Sequence, residues 1–167
     1  TDSRQMNQEK NGTATNFLVH TSRKTWRTQL NLQVNTAFTL RNRIEMVWAG
    51  GGGNWSRGFS TYMDILYKPM MKPFSVVSRF QFFETDDYDS RVYAYENDVL
   101  LSYSIPALSN AGCRYYFSIQ YDVGKITCWL KWAQTIYNNP PSLGSGLDGT
   151  RTKKRTDIKL QMRYTFN

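Results

Sequence analysis

Asp157–Phe166 (DIKLQMRYTF) places Ile158, Leu160, Met162, Tyr164 and Phe166 at alternate positions, with Asp157, Lys159, Gln161, Arg163 and Thr165 between them. A repeat of two puts successive side chains on opposite faces of an extended chain, so this segment reads as a strand with one apolar and one polar face. Ten residues of such a strand, tilted, cross a bilayer. Working backwards, the same alternation gives strands over Asn16–Trp26 (weakly), Gln29–Leu40, Arg43–Ala49, Arg57–Lys68, Phe74–Thr85, Arg114–Asp122 and Lys125–Tyr137. Arg91–Ile105 (RVYAYENDVLLSYSI) reads as two short strands about a turn at Glu96–Asp98, because Asn and Asp favour turns.

These segments describe an all-β protein of about ten strands, an antiparallel up-and-down barrel occupying 14–167 behind a polar segment or loop at 1–13. Short turns are expected at Arg41 and Asn42, Pro69–Pro73, Glu96–Asp98, and Val123 and Gly124. Longer loops are expected at Gly50–Ser56, Asp86–Ser90, Pro106–Gly112 and Asn138–Lys154. Short turns on one rim and longer loops on the other are the asymmetry of outer-membrane barrels.

Alternation alone also fits a soluble ligand-binding barrel with its apolar face turned inward. Two features favour lipid outside. Aromatic residues recur on the apolar face toward strand ends, at Trp48, Tyr67, Phe74, Tyr121, Trp132, Tyr164 and Phe166, as an interfacial girdle requires. The opposite face carries Arg43, Glu45, Asp64, Arg79, Arg114, Asp122, Lys131, Lys159 and Arg163, with both signs present for pairing across a wet lumen. A mean hydropathy of −0.57 does not oppose this, since alternating strands average to mild polarity. No apolar run is long enough for a membrane helix.

The net charge of +8 is dispersed among strands that also carry Asp and Glu, so nucleic acid is not an expected partner. The basic run Arg151–Arg155 (RTKKR) reads as a solvated loop. Cys113 and Cys128 fall on neighbouring strands, but a hairpin turning at Val123 and Gly124 sets Cys113 opposite about Gln134, so no disulfide joins them.

Catalysis by an outer-membrane hydrolase would have to use His20, the only histidine, with Ser22 on the same strand. Same-face neighbours on a strand stand about 7 Å apart, loose for a nucleophile and its base. No catalytic residue, metal site or cofactor is assigned. Glu84–Asp89 (ETDDYD) lacks the glycine of a calcium loop. Gly50–Gly53 and Gly144–Gly149 lack the helix that a phosphate-cradling loop would open.

From about Arg57 to Asn167 the sequence resembles the C-terminal barrel of a Bacteroidetes family that carries an N-terminal helix-hairpin-helix domain. The residues behind the resemblance are Arg57–Tyr67 (RGFSTYMDILY), Phe83–Val99 (FETDDYDSRVYAYENDV), Ser104–Leu108 (SIPAL), Trp129–Tyr137 (WLKWAQTIY), Gly144–Asp148 (GSGLD) and the closing strand. The resemblance implies the C-terminal part of a larger barrel in the bacterial outer membrane. The ending Tyr164, Thr165, Phe166 is similar to the signal read by the outer-membrane insertion machinery, with Asn167 trailing it. The expected function is therefore that of a channel, anchor or component of an envelope complex. Its expected partners are outer-membrane lipid and lipopolysaccharide, the insertion machinery and other envelope proteins.

Overall fold

The computed structural model describes residues 2–10, 13–51, 54–138, 142–143, 150–151 and 153–166, with side chains over 21–51, 54–138 and 153–166. The strands in chain order are β1 (Asp2–Lys10), β2 (Thr13–Gln33), β3 (Phe38–Gly51), β4 (Asn54–Tyr67), β5 (Phe74–Thr85), β6 (Val92–Tyr93), β7 (Ala107–Leu108), β8 (Ala111–Val123), β9 (Ile126–Tyr137), β10 (Ser142–Leu143), β11 (Thr150–Arg151) and β12 (Lys154–Tyr164). Eight of them form one antiparallel sheet in the order β1-β2-β3-β4-β5-β8-β9-β12. The pairs β6-β7 and β10-β11 stand apart from it. The protein is all-β, and among the described residues no pairing joins β12 to β1 or β2.

Several sequence expectations need correction. Gln29–Leu40 is not one strand: β2 ends at Gln33 and β3 begins at Phe38. Asn35 makes the turn, its Oδ1 accepting from the backbone N–H of Ala37 and of Phe38, both at 2.8 Å. Arg41 and Asn42, expected as a turn, lie inside β3. Arg91–Ile105 supplies no strand of the large sheet; it belongs to one long connection, residues 86–110, that holds the β6-β7 pair and an isolated bridge between Glu96 and Ser104. The β8-β9 hairpin turns at Gly124 and Lys125, since Val123 pairs with Ile126, and Cys113 therefore faces Ile136, two residues beyond Gln134. Both cysteines are free.

Gly50, Gly51 and Asn54–Ser56, expected in a loop, extend β3 and β4. Asp2–Lys10 of the polar N-terminal segment pairs with β2 from Thr13 to Thr21. Gly52, Gly53 and the Gly144–Gly149 loop lie outside the described residues, as does part of Arg151–Arg155.

Because pleating alternates sides, each cross-strand row belongs to one face. Arg27, Glu45, Ser60 and Phe83 form one such row, as do Arg41, Asp64, Arg79, Tyr116 and Ala133. Residues 86–110 lie over this inner face and reach strands near both ends of the sheet. Arg23 of β2 donates to the carbonyl oxygens of Asp89 and Arg91 at 2.8 and 2.6 Å, and Lys159 of β12 meets Asp98 at 2.6 Å. A sheet whose second and last strands address one segment is curled around it. Val92 and Leu108 from the segment pack with Val47, Phe83 and Tyr137 of the wall as the apolar core.

The segment starts down over β4. Ser56 Oγ is 2.6 Å from both Asp87 Oδ1 and Ser90 Oγ, and Asp87 Oδ1 also accepts the N–H groups of Asp89 and Ser90. Gly58 makes this approach possible, because a Cβ there would stand 2.1 Å from the Ser90 carbonyl oxygen. Gly58→Ala is therefore expected to lift the start of the segment, at about 1 to 3 kcal/mol for an overpacked site. Limited proteolysis should show new cleavage within 86–110 in the variant, and an unchanged cleavage pattern would refute the contact.

Candidate functional site on the inner face

β8, β9 and β12 each turn a basic side chain inward, and the segment answers with two carboxylates. Arg114 Nε and Nη2 donate to Glu96 Oε1 and Oε2 at 2.5 and 3.0 Å, while Nη1 reaches Thr135 Oγ1 at 2.7 Å and Asp157 at 3.4 Å. Lys131 Nζ stands 3.0 Å from Glu96 Oε2 and 3.7 Å from Asp98 Oδ2. Lys159 Nζ reaches Asp98 and the hydroxyls of Ser102 and Ser104. Glu96 is fully buried and Lys131 is 2% exposed, so these charges rely on each other and not on water.

A second buried pair sits beside the first. Arg79 Nε and Nη2 donate to Asp64 Oδ1 and Oδ2 at 2.5 and 2.8 Å, and Nη1 donates to the Tyr95 carbonyl oxygen of the segment at 2.8 Å. Its guanidinium lies 3.7 Å from the Tyr62 ring centroid, a face contact that a planar cation suits. The Tyr116 hydroxyl accepts the Asn97 backbone N–H at 3.2 Å. Each sheet strand from β5 to β12 thus holds one stretch of the segment.

Burial alone would raise the Asp98 carboxyl. The Lys159 ammonium, the Ser104 hydroxyl, the Val99 N–H and the Lys131 charge outweigh it and hold the group down at about 2, below the ordinary 3.8.

The residues expected on the polar face divide by depth. Glu45, Asp64, Arg79, Arg114 and Lys131 are buried, and Arg43 and Lys159 are half-buried. Arg43 donates to Gln29, and Glu45 pairs with Arg27 at 2.9 Å. Asp122 and Arg163 share that face but are exposed near the turn end, where Arg163 lies 5.5 Å from the Trp129 ring.

Of the expected girdle, all seven residues lie on the outer face. Phe38, Tyr67 and Phe74 form a row of ring contacts at 4.3 and 5.9 Å, and Tyr164 meets Phe166 at 4.6 Å. Trp48 stands at the other end. Trp132 sits in the middle of β9, paired with Phe117 and Ile158, and not near a strand end.

Glu96 and Asp98 were missed, since their side chains read as turn formers. The available signal was the charge of the wall itself: Arg114, Lys131 and Lys159 point inward with too few inward carboxylates on the same strands. His20 lies on β2 with its side chain outside the described residues. Among the described residues no three His, Cys, Asp or Glu side chains cluster as metal ligands. Comparison with family models, curated proteins and solved structures finds no match.

Glu96→Gln should leave Arg114 and Lys131 facing a neutral amide. Breaking one side of a buried ion pair costs about 3 to 5 kcal/mol. Urea unfolding should register most of that loss, together with faster proteolysis of 86–110, whereas a loss under 1 kcal/mol would mean water reaches the cluster.

Asp98 binds its proton less readily in place than free. Its contribution is therefore complete above about pH 4 and lost as pH falls through about 2. A spin label at the exposed Leu101 should keep its mobility from pH 7 to 4 and gain mobility between 4 and 2. Release already at pH 5 would contradict the assignment.

Proposed function

We propose that this chain is part of the wall of a membrane-spanning β-barrel of the bacterial outer-membrane type, with residues 86–110 seated inside it as a plug. The observation that carries the reading is the distribution of charge on the outer face. Among the strand residues whose side chains are described, the charged ones on that face are Lys24, Arg57, Glu84 and Lys154, all toward the end of the sheet where residues 86–110 attach. From Arg57 to Tyr67 on β4, from Glu84 to Phe74 on β5 and from Lys154 to Tyr164 on β12, ten positions pass without another outward charge. Ten steps of about 3.3 Å, tilted by about 40°, span about 25 Å, the height of the apolar band on such barrels.

Within the band the outer side chains are uncharged: most are apolar, Thr28, Thr61 and Ser78 are small hydroxyls, and the larger polar groups of Asn42, Tyr115 and Gln134 pair with neighbours. Met63, Phe80, Leu130 and Leu160 are exposed. The Tyr115 hydroxyl donates to Gln134 Oε1, whose amide nitrogen donates to Thr156 at 2.9 Å. Hydrocarbon imposes this rule, since it offers no partner to a polar group. Trp26, Trp48 and Trp55 gather at the charged margin, with Lys24 Nζ 5.5 Å from the Trp55 ring, a pairing that suits a headgroup level. A soluble ligand-binding barrel would instead bury its apolar face and wet its ionic one.

With the segment held by three strands' worth of ion pairs, the wall serves as an anchor or closed channel within an envelope complex. Placement in the outer membrane, contact with lipopolysaccharide and delivery by the insertion machinery rest on the resemblance to the Bacteroidetes barrel region.

Adjacent substitutions on β12 test the reading. Leu160 is 77% exposed on the outer face, and Gln161 is half-buried on the inner face. Leu160→Arg should cost about 2 to 4 kcal/mol of folding into lipid vesicles, and Gln161→Arg much less. Heat-modifiable migration after reconstitution scores both, and equal tolerance would mean that the outer face does not meet lipid.

A further inference from the structure

A cavity of about 300 Å³ remains between the segment and the inner face of β8, β9 and β12. Arg114, Lys131, Arg155 and Lys159 line it, with Asp157 as the carboxylate among the lining residues and Tyr103–Pro106 of the segment closing one side. The acids that serve these four cations are Glu96, Asp98 and Asp157. Four cations against three carboxylates leave one positive charge in excess around a partly enclosed space.

The donors are unequally used. Lys159 has three hydrogen-bond partners, and Arg114 is committed to Glu96, Thr135 and Asp157. Lys131, almost wholly buried, has ion pairs and a ring contact but no acceptor in hydrogen-bond geometry. An ammonium without such an acceptor in a low-dielectric site is costly. Arg155 stands at the exposed mouth, its one ion pair among the described residues being with Asp157 at 3.5 Å.

We infer that this cavity binds a small free oxyanion of phosphate size, held by Lys131 at the floor and Arg155 at the mouth. One such anion supplies the missing negative charge and the acceptor that Lys131 lacks, and guanidinium donors suit its geometry. Asp157 beside the mouth opposes the anion and limits its affinity, which sets the expected range at millimolar and not nanomolar. The site lies on the inner face and does not rest on the outer face meeting lipid.

Calorimetric titration of the folded chain in detergent with inorganic phosphate, against chloride at equal ionic strength, tests this. Saturable binding to the parent should exceed any chloride effect. Arg155→Gln, at an exposed position that leaves the buried pairs intact, should weaken it at least tenfold, and Lys131→Met should abolish it. Lys125→Gln, which removes one exposed charge at the far turn, should leave it unchanged. Phosphate binding no tighter than chloride, or equal weakening by Arg155→Gln and Lys125→Gln, would overturn the inference. Binding of glycerol phosphate without binding of inorganic phosphate would overturn it in favour of a group carried on a larger molecule.

Discussion

The Glu96 carboxylate, fully buried between Arg114 and Lys131, is the interaction on which the arrangement depends. Without it, and with only the more distant Asp157 and Asp98 near them, two buried cations on adjacent strands would lie side by side. The segment's path follows from satisfying them. Asp98 follows Glu96 closely enough to take Lys159 on the next strand, and the Tyr95 carbonyl reaches Arg79 on the strand before. An acid one position off would point away from the wall. The position is fixed locally by the bridge between Glu96 and Ser104.

That interior polarity and the outer apolar face are two consequences of one pleat. A strand with one exposed apolar face puts its charges on the other, and within the uncharged band seven neighbouring strands do so in register. Inside, the charges need counter-charges, and the sheet alone does not provide enough of them. The long connection is thus less a loop than the second half of the polar core. Its small apolar cluster of Val92 and Leu108 against Val47, Phe83 and Tyr137 seats it near the mouth, while the ion pairs hold it further along.

How much of this was legible depended on whether an error preserved parity. The β8-β9 register was misplaced by two residues, and every side chain stayed on its proper face, because a shift of two residues does not change alternation. Gln29–Leu40 was read straight through a turn for the same reason: Leu32, Val34, Thr36 and Phe38 keep the phase across it, and only the capping geometry of Asn35 marks the break. Arg91–Ile105 failed differently. Its alternation is real, with Val92, Ala94 and Glu96 buried and Tyr95 exposed, but periodicity reports that one side of a segment is covered and not what covers it. The buried acids were invisible because their burial is produced by partners far along the chain.

Strand direction bears on how the sheet ends. Counting alternating neighbours from β2 through β3, β4, β5, β8 and β9, β12 runs in the same direction as β2. Two parallel strands cannot meet as neighbours in an antiparallel seam, so any antiparallel closure between them needs an odd number of strands in the gap. β1 runs the required way, but its described pairs stop at Thr21, on the part of β2 beyond Lys24 and so outside the uncharged band. Within the band, the edge of β2 from Thr25 to Gln33 and the far edge of β12 carry no strand among the described residues. Exposed edges of that length invite pairing, and in hydrocarbon their free N–H and C=O groups would be prohibitive. A membrane reading therefore requires more strand than this sheet contains, entering antiparallel to both edges, which is the geometry of a wall belonging to a larger barrel.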